Sequence, residues 1–115
     1  MLRDKLIQIR DALVGASTVP VYHYWRPNLK APFIVWQEDG ESVKSLSADN
    51  HKAQQGLYGV VDFYTKKEYD PVFDQIQSAL KHLEGFSFKY DMTQFEDETN
   101  RIHHSWTWEA HYGTP

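Results

Sequence analysis

The segment Leu57–Lys66 places apolar side chains on both of its alternating faces. Leu57, Gly59, Val61, Phe63 and Thr65 share one face; Tyr58, Val60, Asp62, Tyr64 and Lys66 share the other. A strand that is apolar on both faces needs cover on both, so it belongs in the middle of a sheet. The rest of the chain has to supply its neighbours and its cover.

Asp70-Pro71 opens a helix immediately afterwards. An aspartate at the N-cap accepts from free amides, and proline suits the first helical position. Val72, Ile76, Ala79, Leu80 and Leu83 make its apolar stripe, and Gly85 is the expected stop. A first helix is expected over residues 2–14, where Leu2, Leu6, Ile9 and Leu13 recur on one face before Gly15.

Strands fill the remainder. Val19–Trp25 is rich in strand formers, with Pro20 marking an edge or a strand start. Arg26-Pro27-Asn28 reads as a turn. Phe33–Glu38 is a second strand, ended by the Asp39-Gly40 turn signal. Phe86, Phe88, Tyr90 and Met92 alternate with polar residues as a half-buried strand. An acidic turn around Glu96, Asp97, Glu98 and Asn100 leads to a last strand, Arg101–Tyr112. Ile102, His104, Trp106, Trp108, Ala110 and Tyr112 share one of its faces. The expected order is α-β-β-(arm)-β-α-β-β: an α+β fold with a largely antiparallel sheet and two helices on one face, in one domain over residues 1–115. The arm is the polar stretch at 39–55, DGESVKSLSADNHKAQQ. A polar connection of that length is usually functional or mobile, and it is expected to be an extended hairpin arm or a loop that orders on assembly.

The chemistry expected of this pattern is sparse. There is no cysteine, which removes disulfides, thiolate catalysis and zinc-thiolate sites. His103 and His111 share a strand face but stand roughly 26 Å apart, too far to hold one ion. No HExxH, calcium-loop or phosphate-loop pattern occurs, and the acids lie in polar turns where nothing desolvates them. Neither a metal nor a cofactor is expected, nor catalysis by Glu109 with His111. Net charge is −4 and no basic stripe is present, which disfavours tight nucleic-acid binding. No apolar run approaches the roughly 20 residues of a membrane span, and charged residues near the N-terminus break up any signal core.

Aromatics, at 15%, exceed what a small core needs, so some are expected at an interface. Trp106 and Trp108 are assigned to the core under the second helix. Tyr22, Tyr24 and Trp25 are the better interface candidates.

Three segments together resemble a known group. They are PFIVWQEDG at 32–40, VVDFYTKKEYDPVFDQIQSAL at 60–80 and IHHSWTWEAHY at 102–112. In order and spacing they resemble the tail-terminator, or tail-completion, proteins of long-tailed bacteriophages and prophages of Gram-positive bacteria. Asp62, Tyr64, Thr65, Lys66, Tyr69, Asp70 and Pro71 carry the most specific part.

The resemblance implies a virion protein, made in the host cytoplasm. It implies a ring, usually a hexamer, that caps the tail tube and joins it to the head-completion or connector protein, with DNA only passing through. An acidic lumen would repel phosphates and let DNA slide. Glu38, Asp39 and Glu41, or Asp91, Glu96, Asp97 and Glu98, are its candidate linings. Glu41, Ser42, Val43, Lys44, Leu46, Asp49, Asn50, His51 and Lys52 of the arm are candidate contacts to a neighbouring subunit or the tube. Three rivals stay open: a head-completion (stopper) or other neck protein, a small enzyme or ligand-binding domain lined by His23, His104 and the C-terminal aromatics, and a dimeric regulatory partner.

Overall fold

A computed structural model describes residues 2–25, 30–43 and 55–112. The elements are α1 (Leu2–Ala16), β1 (Val21–His23), β2 (Phe33–Val43), β3 (Gln55–Thr65), α2 (Pro71–Lys81), β4 (Phe86–Glu96) and β5 (Arg101–Tyr112). They form one five-stranded sheet in the order β1-β2-β3-β5-β4. The doubly apolar strand β3 is central. The β2–β3, β3–β5 and β4–β5 pairs are antiparallel, and short β1 runs parallel to β2 at the edge.

Both helices lie on one face. Ile9 and Leu13 of α1 join Ile76 and Leu80 of α2 over Ile34, Trp36, Leu57, Val61, Phe63, Trp106, Trp108 and Ala110. Trp106 is wholly buried, and its indole N–H donates to Gln77 Oε1 on α2 at 2.7 Å. That bond removes the cost of burying the indole nitrogen. Gly59 sits where β2 and β3 cross Trp108. A Cβ there would come within 2.0 Å of the Gln37 carbonyl oxygen and 2.6 Å of Trp108.

Several boundaries differ from the sequence expectation, each for a local reason. α1 passes through Gly15, whose side-chain position faces open space, and ends before Ser17, whose hydroxyl accepts from the Val19 amide. β1 is the three-residue core of the expected Val19–Trp25 strand. Asp39-Gly40 does not end β2. It forms a bulge, and the strand resumes pairing from Gly40↔Tyr58 to Val43↔Gln55. The arm therefore begins as paired strand at 40–43. Residues 44–54 lie outside the described residues, as does the expected turn at Arg26-Pro27-Asn28.

α2 is capped as its sequence requires: Asp70 Oδ1 accepts from the Val72 amide at 2.9 Å, and Pro71 opens the helix. Its C-cap is His82. Gly85, at φ +78, turns the chain into β4. β4 continues past Met92 to Glu96. A bulge at Asp91 sends Met92 to the opposite face from Tyr90, against the simple alternation expected.

Candidate interaction surface

The sheet's two edges carry most of its exposed aromatic area. At the β1 edge, Tyr24 and Trp25 are 56% and 62% exposed. Tyr24 leaves the strand in the left-handed region (φ 67) and stacks on His23 at 3.7 Å. His23 stacks in turn on Trp36 at 3.8 Å. Its Nε2 meets Glu38 Oε1 at 2.7 Å, and the Tyr24 hydroxyl donates to Glu38 Oε2. Burial alone would raise the Glu38 carboxyl. The bonds from Tyr24 and His23 outweigh it and hold the carboxyl below its ordinary value. Tyr22 faces the other way, edge-on to Trp25 at 5.5 Å. A small cavity of about 120 Å³ behind this corner is lined by Arg3, Leu6, Ile7, Arg10, His23 and Trp36.

At the opposite edge, a groove of about 400 Å³ runs between the start of α2 and strands β4 and β5. Glu68, Asp70 and Asp74 supply its carboxylates; Tyr69, Phe73, Tyr90 and His104 supply its rings. Tyr69 is 90% exposed at φ +57. Phe73 packs edge-on to Tyr90 (5.2 Å) and His104 (4.8 Å). Burial, and then the neighbouring His103, push His104 below its ordinary value, with Asp70 opposing. His104 is therefore a neutral ring at pH 7. Beside the groove, Phe95 is exposed on β4.

The helix-free face carries a separate cluster. Phe33, Val35 and Tyr64 are buried there, with Tyr22 packed against them. The Arg101 guanidinium lies 4.5 Å from the Tyr64 ring centre, and the His103 ring stacks on the same tyrosine at 4.3 Å. His103 Nε2 meets Asp62 Oδ1 at 2.8 Å, and Arg101 Nε donates to Glu96 Oε1 at 2.6 Å. That bond holds the Glu96 carboxyl below its ordinary value.

The structure does not join the two acidic segments. Glu38 and Asp39 lie along β2, while Glu96 ends β4 and Asp97 and Glu98 are exposed in the turn beyond it. Glu38 and Glu96 are not turn acids; both are half-buried and bound within the chain. Asp91 is the bulged residue of β4, and Glu41 is exposed on β2. Ser42 and Val43 belong to β2. Lys44, Leu46, Asp49, Asn50, His51 and Lys52 lie outside the described residues. Trp106 and Trp108 are core residues. His111 Nε2 lies 3.6 Å from Glu109 Oε1. Among the described residues, no three His, Asp or Glu side chains come together as metal ligands.

Sequence reasoning missed the groove. Its rings come from a loop, a helix start and two strands, and only the unusual aromatic next to the N-cap, Tyr69, marks it in the chain.

No family model matches the chain, and no curated protein sequence matches it. Among solved structures the fold is shared with a chain from the virion of a native gene transfer agent particle. The likeness covers 92% of this chain and 89% of that one, at a TM-score of 0.59 and 14% identity. At that identity the likeness is one of fold.

Proposed function

We propose that this protein is a structural component of a phage-like virion, acting at the neck as a tail terminator. It caps the tail tube as a ring, hexameric by the sequence resemblance, and joins it to the head-completion or connector protein. The observation that carries this reading is the nearly full-length likeness to a virion chain, to which the motif resemblance adds the position. A fold does not fix a function on its own. Here, though, the likeness spans 92% of this chain and 89% of the other, so it is not confined to a short shared motif. Exposed aromatic corners at both sheet edges suit a protein whose work is docking. The net charge of −4 suits a channel through which DNA passes without being held.

The test is removal of the gene from a phage or prophage that carries it, followed by electron microscopy of the particles. A terminator's loss leaves tails of uncontrolled length that do not join heads. Normal tails beside heads that have lost their DNA would reassign the protein to the head-completion role. Normal infectious particles would end the structural reading.

A further inference from the structure

The groove at the start of α2 combines carboxylates with rings. Glu68 and Asp74 are exposed at its rim, and Asp70 is half-buried beside them. Among the described residues that line it, none is Lys or Arg, and His104 is neutral at pH 7. Lys66 and Lys67 are exposed in the turn that leads to it but do not line it, so acid outweighs base around the groove. A helix start attracts anions only where its amides are open. Here Pro71 has no N–H, the Val72 amide donates to Asp70 Oδ1 at 2.9 Å, and the Phe73 amide donates to the Asp70 carbonyl oxygen at 3.1 Å. An anion would meet carboxylates with no open amide to offset them, whereas a cation meets only opposite charge. Tyr69, 90% exposed, lines the groove with Phe73 and Tyr90 and adds aromatic surface.

The same chain shows what such a pair of groups holds. On the helix-free face, the Arg101 guanidinium lies 4.5 Å from the Tyr64 ring centre while its Nε donates to Glu96 Oε1 at 2.6 Å. Tyrosine and carboxylate recur in the groove. We propose that the groove binds an arginine side chain presented by a partner protein. A guanidinium suits it better than an ammonium group, being planar and weakly hydrated, so that it stacks on a ring while donating in its own plane. Glu68 and Asp74 accept its N–H groups. Asp70 adds charge alone, because its oxygens already accept from the Val72 amide and, at 2.6 Å, from the Thr65 hydroxyl. The volume of about 400 Å³ has room for one such side chain. Two of this chain's own described arginines are bonded to carboxylates, Arg10 to Asp11 and Arg101 to Glu96, which favours a different chain as the source. The inference goes beyond the neck reading: it gives the chemistry of a docking partner and does not depend on the chain's position in the particle.

The experiment titrates the full-length chain with N-acetyl-Gly-Arg-Gly amide, followed by heteronuclear NMR of the backbone amides. The same peptide with citrulline, which keeps the shape and removes the charge, is the control, and spermidine is a third arm. The arginine peptide is expected to give saturable shifts at the groove residues with a Kd on the order of 1 mM. The citrulline peptide should bind roughly tenfold more weakly. Two variants at exposed positions, verified by circular dichroism, test the lining. Glu68→Gln with Asp74→Asn should weaken the arginine peptide roughly tenfold. Tyr69→Asn, asparagine being tolerant of the left-handed backbone there, should weaken it roughly threefold. Equal binding of the arginine and citrulline peptides overturns the proposal, as do shifts outside the groove, no saturable shift, or a charge variant that binds like wild type. Spermidine binding as tightly as the peptide would assign the site to a free polyamine and overturn the protein source. Self-association of the wild-type chain that the groove variants abolish, read by sedimentation velocity, would make the occupant a second copy and overturn the partner. None of these outcomes alters the gene-removal phenotype, which tests the neck reading separately.

Discussion

The two faces of the sheet bury aromatic residues by different means. On one, two helices lie across Trp36, Trp106, Trp108 and Phe63, and burial follows from a complete second layer. On the other there is no helix, yet Phe33 and Tyr64 are 1% and 0% exposed. There, His103 stacks flat on the Tyr64 ring and the Arg101 guanidinium lies over it, with their polar atoms tied to Asp62 and Glu96. Planar polar groups can cover apolar surface while keeping their heads bonded. A charged strand face can thus serve as a lid, and its carboxylates act as anchors for that lid.

The sharpest way to break this comparison is to hollow out each face in turn. Trp106→Ala should cost most, about 4 kcal/mol, because it empties the layer between α2 and β5 and leaves Gln77 without its donor. Tyr64→Ala should cost about 3 kcal/mol if the open-face cluster is a true core. Denaturant unfolding measures both, and a loss near zero for Tyr64 would mean the cluster contributes no stability. Removing the lid should matter less: Arg101→Ala is expected to cost about 1–2 kcal/mol, in a double-mutant cycle that couples it to Glu96.

The smallest effect is one of pH, and both faces give it the same sign. His104, on the helix side, is held below its ordinary 6.5. The unfolded chain therefore binds protons first as the solution is acidified. The stability from neutral His104 is present above 6.5 and is lost as pH falls through its lowered folded value. Glu96, on the open side, is held below its ordinary 4.5, so its contribution disappears only at more acid pH. Unfolding midpoints followed from neutral to acid should fall in two stages. His104→Phe should abolish the upper stage and Glu96→Gln should shrink the lower, the rest of which belongs to Glu38, also held below its ordinary value.

Much of the covered face could be read from the chain. Asp70-Pro71 announces α2 through hydrogen bonds a local segment makes with itself, and β5's strict alternation survives because nothing interrupts it. The central place of β3 followed from its two apolar faces. The open face was harder. Its lid depends on pairing Tyr64 with His103 and Asp62 with Ser105, contacts between residues far apart in sequence. A local pattern reads His103 and Asp62 only as mixed charge. The bulges at Asp39 and Asp91 were hidden for a related reason. Asp39-Gly40 has the composition of a turn, and only its partner strand decides that it is a kink. Of the candidate edges, Tyr24 and Trp25 are marked in the chain as aromatics beside an expected turn, whereas the groove is assembled from distant segments.

The Asp91 bulge bears on how far this sheet can grow. An outer strand of eleven residues would ordinarily offer a template to which further strands could be added without limit. Where Asp91 interrupts the ladder, the backbone twists and no straight strand can follow it for its full length. Growth by continuous hydrogen bonding is thereby discouraged, and a finite assembly at this margin has to be built from side chains.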